Sequence, residues 1–545
     1  MAHIVSACHS FKVFPRLGLA IACFAVRALA DNCSFQAVEL PITNVTGSGV
    51  TARGAVISVG LSLQQLATQV SSTKNTWIFD VNSPCSNPDW NSLKCAAFEG
   101  IPYNFHTSPT YKNTTNAVTG GKYTGFVAKD NLHAGNASID AYSYATFTEN
   151  PGDLGHSQHY LGLGVESTLL SALRSSSTIA SRTWSYFYGL TGATTEHQMD
   201  GSVVLGGYDA AKTTGDSVVF SLGSNSCGYG GMAVTIMDFQ LLFPSGKRAS
   251  IFTDGGALGA CVTPDFPGVI AMPHSPYYSN FESLAGMILD PSGNRSFGYD
   301  FFTMLYTSDS VFRGDIIITL SNGTDTLNIT VPNHQLVRPE MSIDNNGELV
   351  ANSSKMNLLM LDDRDVDQND LAIIGRQFFT SAYLMVNYDD NEFTMWSANP
   401  TTAQNLRTVY NKDSSSCISV STSPNPIGNP IGTPNTSPST SPNTSPTPTP
   451  SHGLSSSAIV GIAIGGVGGL ALVGLAIWFL RFRRRSPPLA EQPAEQPVGA
   501  LPMDYPDYMA KHAQTVPSLA QEVPAADVMP HELQGMTRKP QELPA

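Results

Sequence analysis

Basic residues are scarce in this 545-residue chain, with 29 Lys and Arg against 43 Asp and Glu. There is no basic stripe and no nucleic-acid motif, which excludes nucleic acid as an expected partner. No cysteine pair has CxxC or Cys/His spacing, and no Gly-Lys-Ser/Thr loop, HExxH or GxSxG occurs. Neither a metal nor a cofactor is therefore expected. Helical periodicity is also sparse, Glu166–Ser176 being the best candidate. Residues 412–457 have almost no apolar content and are rich in Pro, Ser and Thr, so they cannot bury a core and read as an extended stalk.

Three features of the sequence organise the chain. At the front, Lys12 and Arg16 precede the apolar run Leu17–Val26 and the small residues Ala28–Ala30. This is the pattern of a signal peptide spanning residues 1–30, with a mature chain from about Asp31. Far downstream, Ala458–Leu480 is an uncharged run of 23 residues, followed at once by Arg481–Arg485. A helix of that length crosses a hydrocarbon core of about 30 Å. The arginines hold residues 481–545 in the cytoplasm, so the expectation is a type I single-pass protein of the cell membrane with an extracellular N-terminal part. Gly461, Gly465 and Gly469 form overlapping GxxxG patterns, which either let two such helices pack or are simply tolerated. The tail, rich in Pro, Gln, Ala and Glu, reads as disordered, with Tyr505 and Tyr508 as candidate contacts for a cytoplasmic adaptor. Thirdly, Asn32, Asn44, Asn113, Asn136, Asn294, Asn322, Asn328, Asn352, Asn435 and Asn443 all begin N-x-S/T sequons, and none follows the apolar span. Secretion, glycosylation and oxidised cysteines fit together. Past residue 30 six cysteines remain (Cys33, Cys85, Cys95, Cys227, Cys261 and Cys417). Their spacing alone leaves 15 connectivities open.

Residues 31–411 carry the folded part. Short β-branched or aromatic runs such as GAVISVGL, GSVVLGGYD, GDIIITL, LNITVP and AYLMVNYDDNEFTMW are separated by Gly, Asn, Asp and Ser. This is the signature of a mainly β, largely antiparallel protein.

Several segments then resemble the pepsin-like aspartic peptidases, in particular the fungal membrane-anchored kind, over roughly residues 50–400. VISVGLSLQQ resembles the family's strand with Gly-Thr-Pro-x-Gln, and SPTYKNT (108–114) its Ser-Ser-Thr-Tyr segment. YLGLG (160–164) and AIIGRQFF (372–379) resemble the apolar-apolar-Gly elements that complete each active-site loop. GSVVLGGYDAAKTTG (201–215) is the most specific match. The resemblance implies two β lobes, taken as residues 31–215 and 216–411, with a cleft between them and one transmembrane helix beyond.

In that family two carboxylates, one per lobe and usually in Asp-Thr/Ser-Gly, share a proton across the cleft. One activates a water and the other hydrogen-bonds the substrate carbonyl. Here no Asp or Glu lies between Leu61 and Phe79. Counting back from Trp77 puts Val70 at the first catalytic position, and counting forward from Gln64 puts Ser71 there. Asp80 would fail both spacings and reads as a strand-end turn residue. In the second lobe SIFTDGGALGAC offers Asp254 as the surviving carboxylate, with Gly255 and Ala257 in place of hydroxyl residues, and Asp254 alone is insufficient for catalysis. Val118 or a neighbour takes the place of the flap tyrosine, Tyr111 and Tyr123 being offset. Two further candidates are weaker. Asp362–Asp370 alternates acids like a calcium loop but lacks its glycine and distal glutamate, and reads as an acidic surface turn. His156 and His159 read as loop histidines.

The resemblance also implies the disulfides Cys85–Cys95, closing a small loop after the first active-site segment, and Cys227–Cys261, flanking the Asp254 loop. Cys33 and Cys417 are then left near the two ends of the folded part. The expected function is a surface protein that binds peptide or a cell-wall component without cutting it. The rivals are an active surface aspartic endopeptidase, and a stalked sensor or adhesin signalling through its tail.

Overall fold

The computed structural model describes residues 35–411, except 86, 88, 121–122, 149–157, 224–226, 229–230, 254, 288–294 and 365–368. The expected signal peptide, stalk, apolar span and tail lie outside these residues, as do Cys33, Cys417, Asn32, Asn294, Asn435, Asn443, Asp254 and His156. Among the described residues no helix is long and apolar enough to cross a membrane.

The first lobe starts with β1 (Val38–Gly47) and β2 (Val50–Val59), joined through Ser48 and Gly49, both at positive φ. That left-handed pair turns the chain back in register, Gly47 opposite Val50. β2 pairs antiparallel with β3 (Gln64–Ser71), and their alternating burial puts Ile57, Val59, Leu66 and Val70 into the core. β4 (Trp77–Ile78) follows a loop. β5 (Lys112–Gly120) and β6 (Tyr123–Ala134) form a long hairpin, with β7 (Ala137–Phe147) on its far side. β8 (His159–Gly162) then inserts between β3 and β4. It runs parallel to β3, with Val70 opposite Leu161 and Ser71 opposite Gly162.

The helix expected over Glu166–Ser176 forms at Thr168–Ser175. Ser167 caps it by accepting the Leu170 N–H, and Leu169, Leu170 and Leu173 make its buried stripe.

The second lobe repeats this arrangement. Strand Leu258–Val262 runs parallel to Ala372–Ile374, with Val262 opposite Ile374. Ile270–Pro273 lies antiparallel on the other side of Ala372–Ile374, as β4 does on β8. Met360–Asp363 runs parallel to Ile270–Pro273, as β7 does to β4.

The chain then returns. Ala382–Asn387 pairs with β9 (Thr183–Phe187), Leu384 facing Tyr186, so C-terminal strands join the sheet that carries β1. Trp184, Phe187, Tyr383 and Leu384 are fully buried there. Each such side chain contributes about 2–3 kcal/mol of burial, which locks the two halves of the chain together.

Both expected disulfides within the described residues are present, Cys85–Cys95 and Cys227–Cys261. The six described sequon asparagines, Asn44, Asn113, Asn136, Asn322, Asn328 and Asn352, are all exposed.

Candidate functional site

The end of β3 and its loop meet the loop after Leu258–Val262. Each loop is completed by a glycine that follows, or ends, the parallel strand. A Cβ on Gly162 would fall 2.3 Å from the Asn75 carbonyl carbon, and one on Gly375 would fall 2.6 Å from the Phe266 carbonyl oxygen. Only glycine lets the backbones approach this closely.

The two registers define equivalent positions. Val70 opposite Leu161 corresponds to Val262 opposite Ile374, and Ser71 corresponds to Thr263. All four residues are buried. The loops differ in length. Val70 and Trp77 are seven residues apart, whereas Val262 and the residue corresponding to Trp77, Ala271, are nine apart. The residues flanking Asp254 lie ahead of strand Leu258–Val262 in an exposed turn, where the Gly256 N–H bonds the Thr253 carbonyl and Gly255 has φ +72°.

A carboxylate does stand between the loops, and it belongs to Asp265, which the sequence reading did not single out. Ser71 Oγ donates to Asp265 Oδ2 at 3.0 Å, and the Gln69 side-chain amide donates to the Asp265 carbonyl. Ser71 Oγ also accepts the Lys74 N–H at 3.1 Å, so the hydroxyl ties its own turn to the opposite lobe. Asp265 Oδ1 is buried without a partner. Desolvation raises the Asp265 pKa above its ordinary value, against the opposing pull of the Lys74 charge and the Ser71 hydrogen bond. The available signal was Thr-Pro-Asp following an apolar run, but Asp265 falls three residues after Val262, the position that corresponds to Val70.

Asp80 is buried and fully engaged. It accepts from Thr146 Oγ1 at 2.8 Å and from the Asn82 N–H at 2.8 Å, the bonding of a strand-end turn. Val118 packs on the apolar cluster that includes Trp77, Phe79, Phe147 and Tyr160. Tyr111 instead stacks on Phe105, with ring centroids 4.6 Å apart.

Two expectations need correction. His159 is not in a loop, since it opens β8 and is fully buried. Its Nδ1 accepts the Phe79 N–H and its Nε2 faces the Ile101 carbonyl, each at 3.0 Å. Only the neutral Nε2–H tautomer satisfies both bonds, and no lone pair is left for a metal. Asp362 and Asp363 are buried strand residues rather than part of a surface turn. The Asp362 oxygens meet His274 Nδ1 at 2.9 Å and Arg364 Nε at 2.6 Å, so both are already engaged. Ligand atoms of Cys85, Cys95 and Glu99 also converge, but both sulfurs are spent in the disulfide.

Residues 55–252 match the family model described as eukaryotic aspartyl protease. No curated protein matches the chain. The matched segment holds β3, β8, the β5–β6 hairpin and the first strands of the second lobe. This chain carries a pepsin-like domain of the eukaryotic aspartyl protease family.

Proposed function

We propose that the domain holds a peptide, or a cell-wall component of similar extended shape, in its cleft without hydrolysing it. The observation that carries this reading is the pair of valines, Val70 and Val262, at corresponding positions of the two loops. A water between them meets no matched carboxylates, and an acid–base pair requires both partners within reach of one water. Asp265 supplies a single carboxylate, and one of its oxygens is already committed to Ser71. The Ser71–Asp265 bond acts as a tie between the lobes that keeps a cleft in shape.

The same reading places this domain outside the cell on a Pro/Ser/Thr stalk, above the single span Ala458–Leu480 and a cytoplasmic tail. Exposure of all six described sequon asparagines supports it.

The test is to incubate the purified full-length protein with a mixed peptide library and read bound and free peptides by mass spectrometry. Enrichment of intact peptides is expected. Shortened peptides would contradict the non-hydrolytic half of the reading, and no enrichment of any peptide or wall polysaccharide would contradict the binding half.

A further inference from the structure

A second contact joins the lobes. The first-lobe strand Leu190–Thr191, paired with Gln198–Met199, meets the short second-lobe helix Asn333–Leu336. Thr191 donates its N–H to Gln335 Oε1 at 2.8 Å, and Gln335 Nε2 donates to the His197 carbonyl at 2.9 Å. Arg338 Nη1 donates to the Thr191 carbonyl at 2.7 Å. In this contact the His197 and His334 rings stack face to face, with centroids 3.8 Å apart and planes 19° from parallel.

Histidine is the side chain whose ordinary pKa lets it change charge near neutral pH. Both rings are partly exposed, so protons reach them. Rings stacked this way point their in-plane nitrogen lone pairs past one another, so the two do not converge on one metal ion. Asp315, whose Oδ1 accepts the Asn333 N–H at 2.8 Å, lies near His334, and the exposed Glu196 precedes His197. The other charges around the contact are engaged. Arg338 is held by both Asp300 oxygens, and Asp200 by Thr43 and Arg53. Burial lowers the His334 pKa and the His197 charge lowers it further, against the pull of Asp315. The closed contact therefore takes up protons less readily than an open one. It is complete above the ordinary histidine pKa of about 6.5 and weakens as pH falls below it.

We propose that the His197–His334 stack is an acid-sensitive latch between the lobes, closed while both rings are neutral and loosened when each carries a charge. Two unit charges about 4 Å apart repel, even in water, by enough to shift an equilibrium about fivefold. Asp315 and Glu196 offset part of that repulsion. The two glutamine bonds beside the rings do not titrate, so acid opens this contact locally and does not part the lobes. The latch is independent of what the cleft holds and of whether the cleft hydrolyses it.

The test is hydrogen exchange of the full-length protein, followed by mass spectrometry between about pH 7.5 and 5 and corrected for the intrinsic rate at each pH. The reporting amides are Thr191 and Gly192, bonded to Gln335 and to the His197 carbonyl, and Gln335 and Leu336, bonded to the Pro332 carbonyl. Strand Gln64–Ser71 is the reference. Protection of both reporting segments should fall together by about fivefold or more as pH drops, while the reference strand keeps its own. His334→Gln and His197→Gln each leave at most one charge in the stack and should lose most of that pH dependence, and either one serves if the other does not fold. Constant protection in the parent, an equal loss in Gln64–Ser71, or undiminished pH dependence in a folded variant would overturn the proposal.

Discussion

His159 shows how burial fixes a protonation state. Desolvation pushes its pKa down to about 4 from an ordinary 6.5, outweighing the pull of the backbone carbonyls. The folded protein thus binds this proton less readily than the unfolded chain, so the stabilisation is complete above about pH 6.5 and is lost as pH falls towards 4. The shift corresponds to on the order of 3 kcal/mol. Replacing His159 by Gln should flatten the acid limb of a denaturant-stability profile between those pH values, whatever it costs at neutral pH. Asp265 has the opposite sign. Its pKa is raised, so its charge penalises the fold as pH climbs through the raised value, and the Ser71 hydroxyl offsets that penalty. Ser71→Ala should therefore cost about 1–3 kcal/mol at pH 7, where the charged carboxylate loses its donor, and less at pH 3. Urea unfolding at the two pH values checks this. Neither environment was legible in the sequence. His159 sits among polar neighbours in GHSQHY, and its burial comes from Phe79 and Ile101, which are distant in the chain.

At the scale of elements, the apolar-apolar-Gly segments were readable because their chemistry is local. Gly162 and Gly375 each meet a passing backbone, and no other residue fits. The second-lobe loop was harder to place. SIFTD ends an apolar run with an aspartate, but Arg248–Ser250 closes a hairpin against Gln240–Leu242. The strand that pairs in parallel begins only at Leu258, and its partner is Ala372–Ile374, far along the chain. A loop two residues longer than its first-lobe counterpart conceals the correspondence further. The disulfides were inferred from the resemblance, and both described pairs formed because each closes onto neighbouring structure. Cys85 meets a helix residue, and Cys261 lies in the strand paired with Ala233–Leu242. Loop length ranks them. Replacing Cys227 and Cys261 by Ala, with 34 residues of separation, should cost about 4 kcal/mol, against about 3 kcal/mol for Cys85 and Cys95 at a separation of 10. Paired chemical-denaturation curves of the two double variants check the order.

For the whole molecule, the mainly β architecture was legible from run lengths and turn residues. The return of Ala382–Asn387 to the sheet of β1 was not, since strand order in a large sheet is set by long-range pairing. The proposed topology makes a direct prediction. Protease added to intact cells should remove the domain and spare an epitope near Ala545, and tail staining without permeabilisation would reverse that orientation. The central claim concerns chemistry. A catalytic pair acts as a unit, so losing one member removes most of the benefit of both. Here both corresponding positions are valine. The most direct measurement is turnover of a denatured-protein substrate by the purified full-length chain across pH 2 to 7, with Asp265→Asn and Asp254→Asn as controls. The account predicts no cleavage above the background of either variant at any pH. Cleavage by the parent that disappears in either variant would contradict it and would identify the carboxylate responsible.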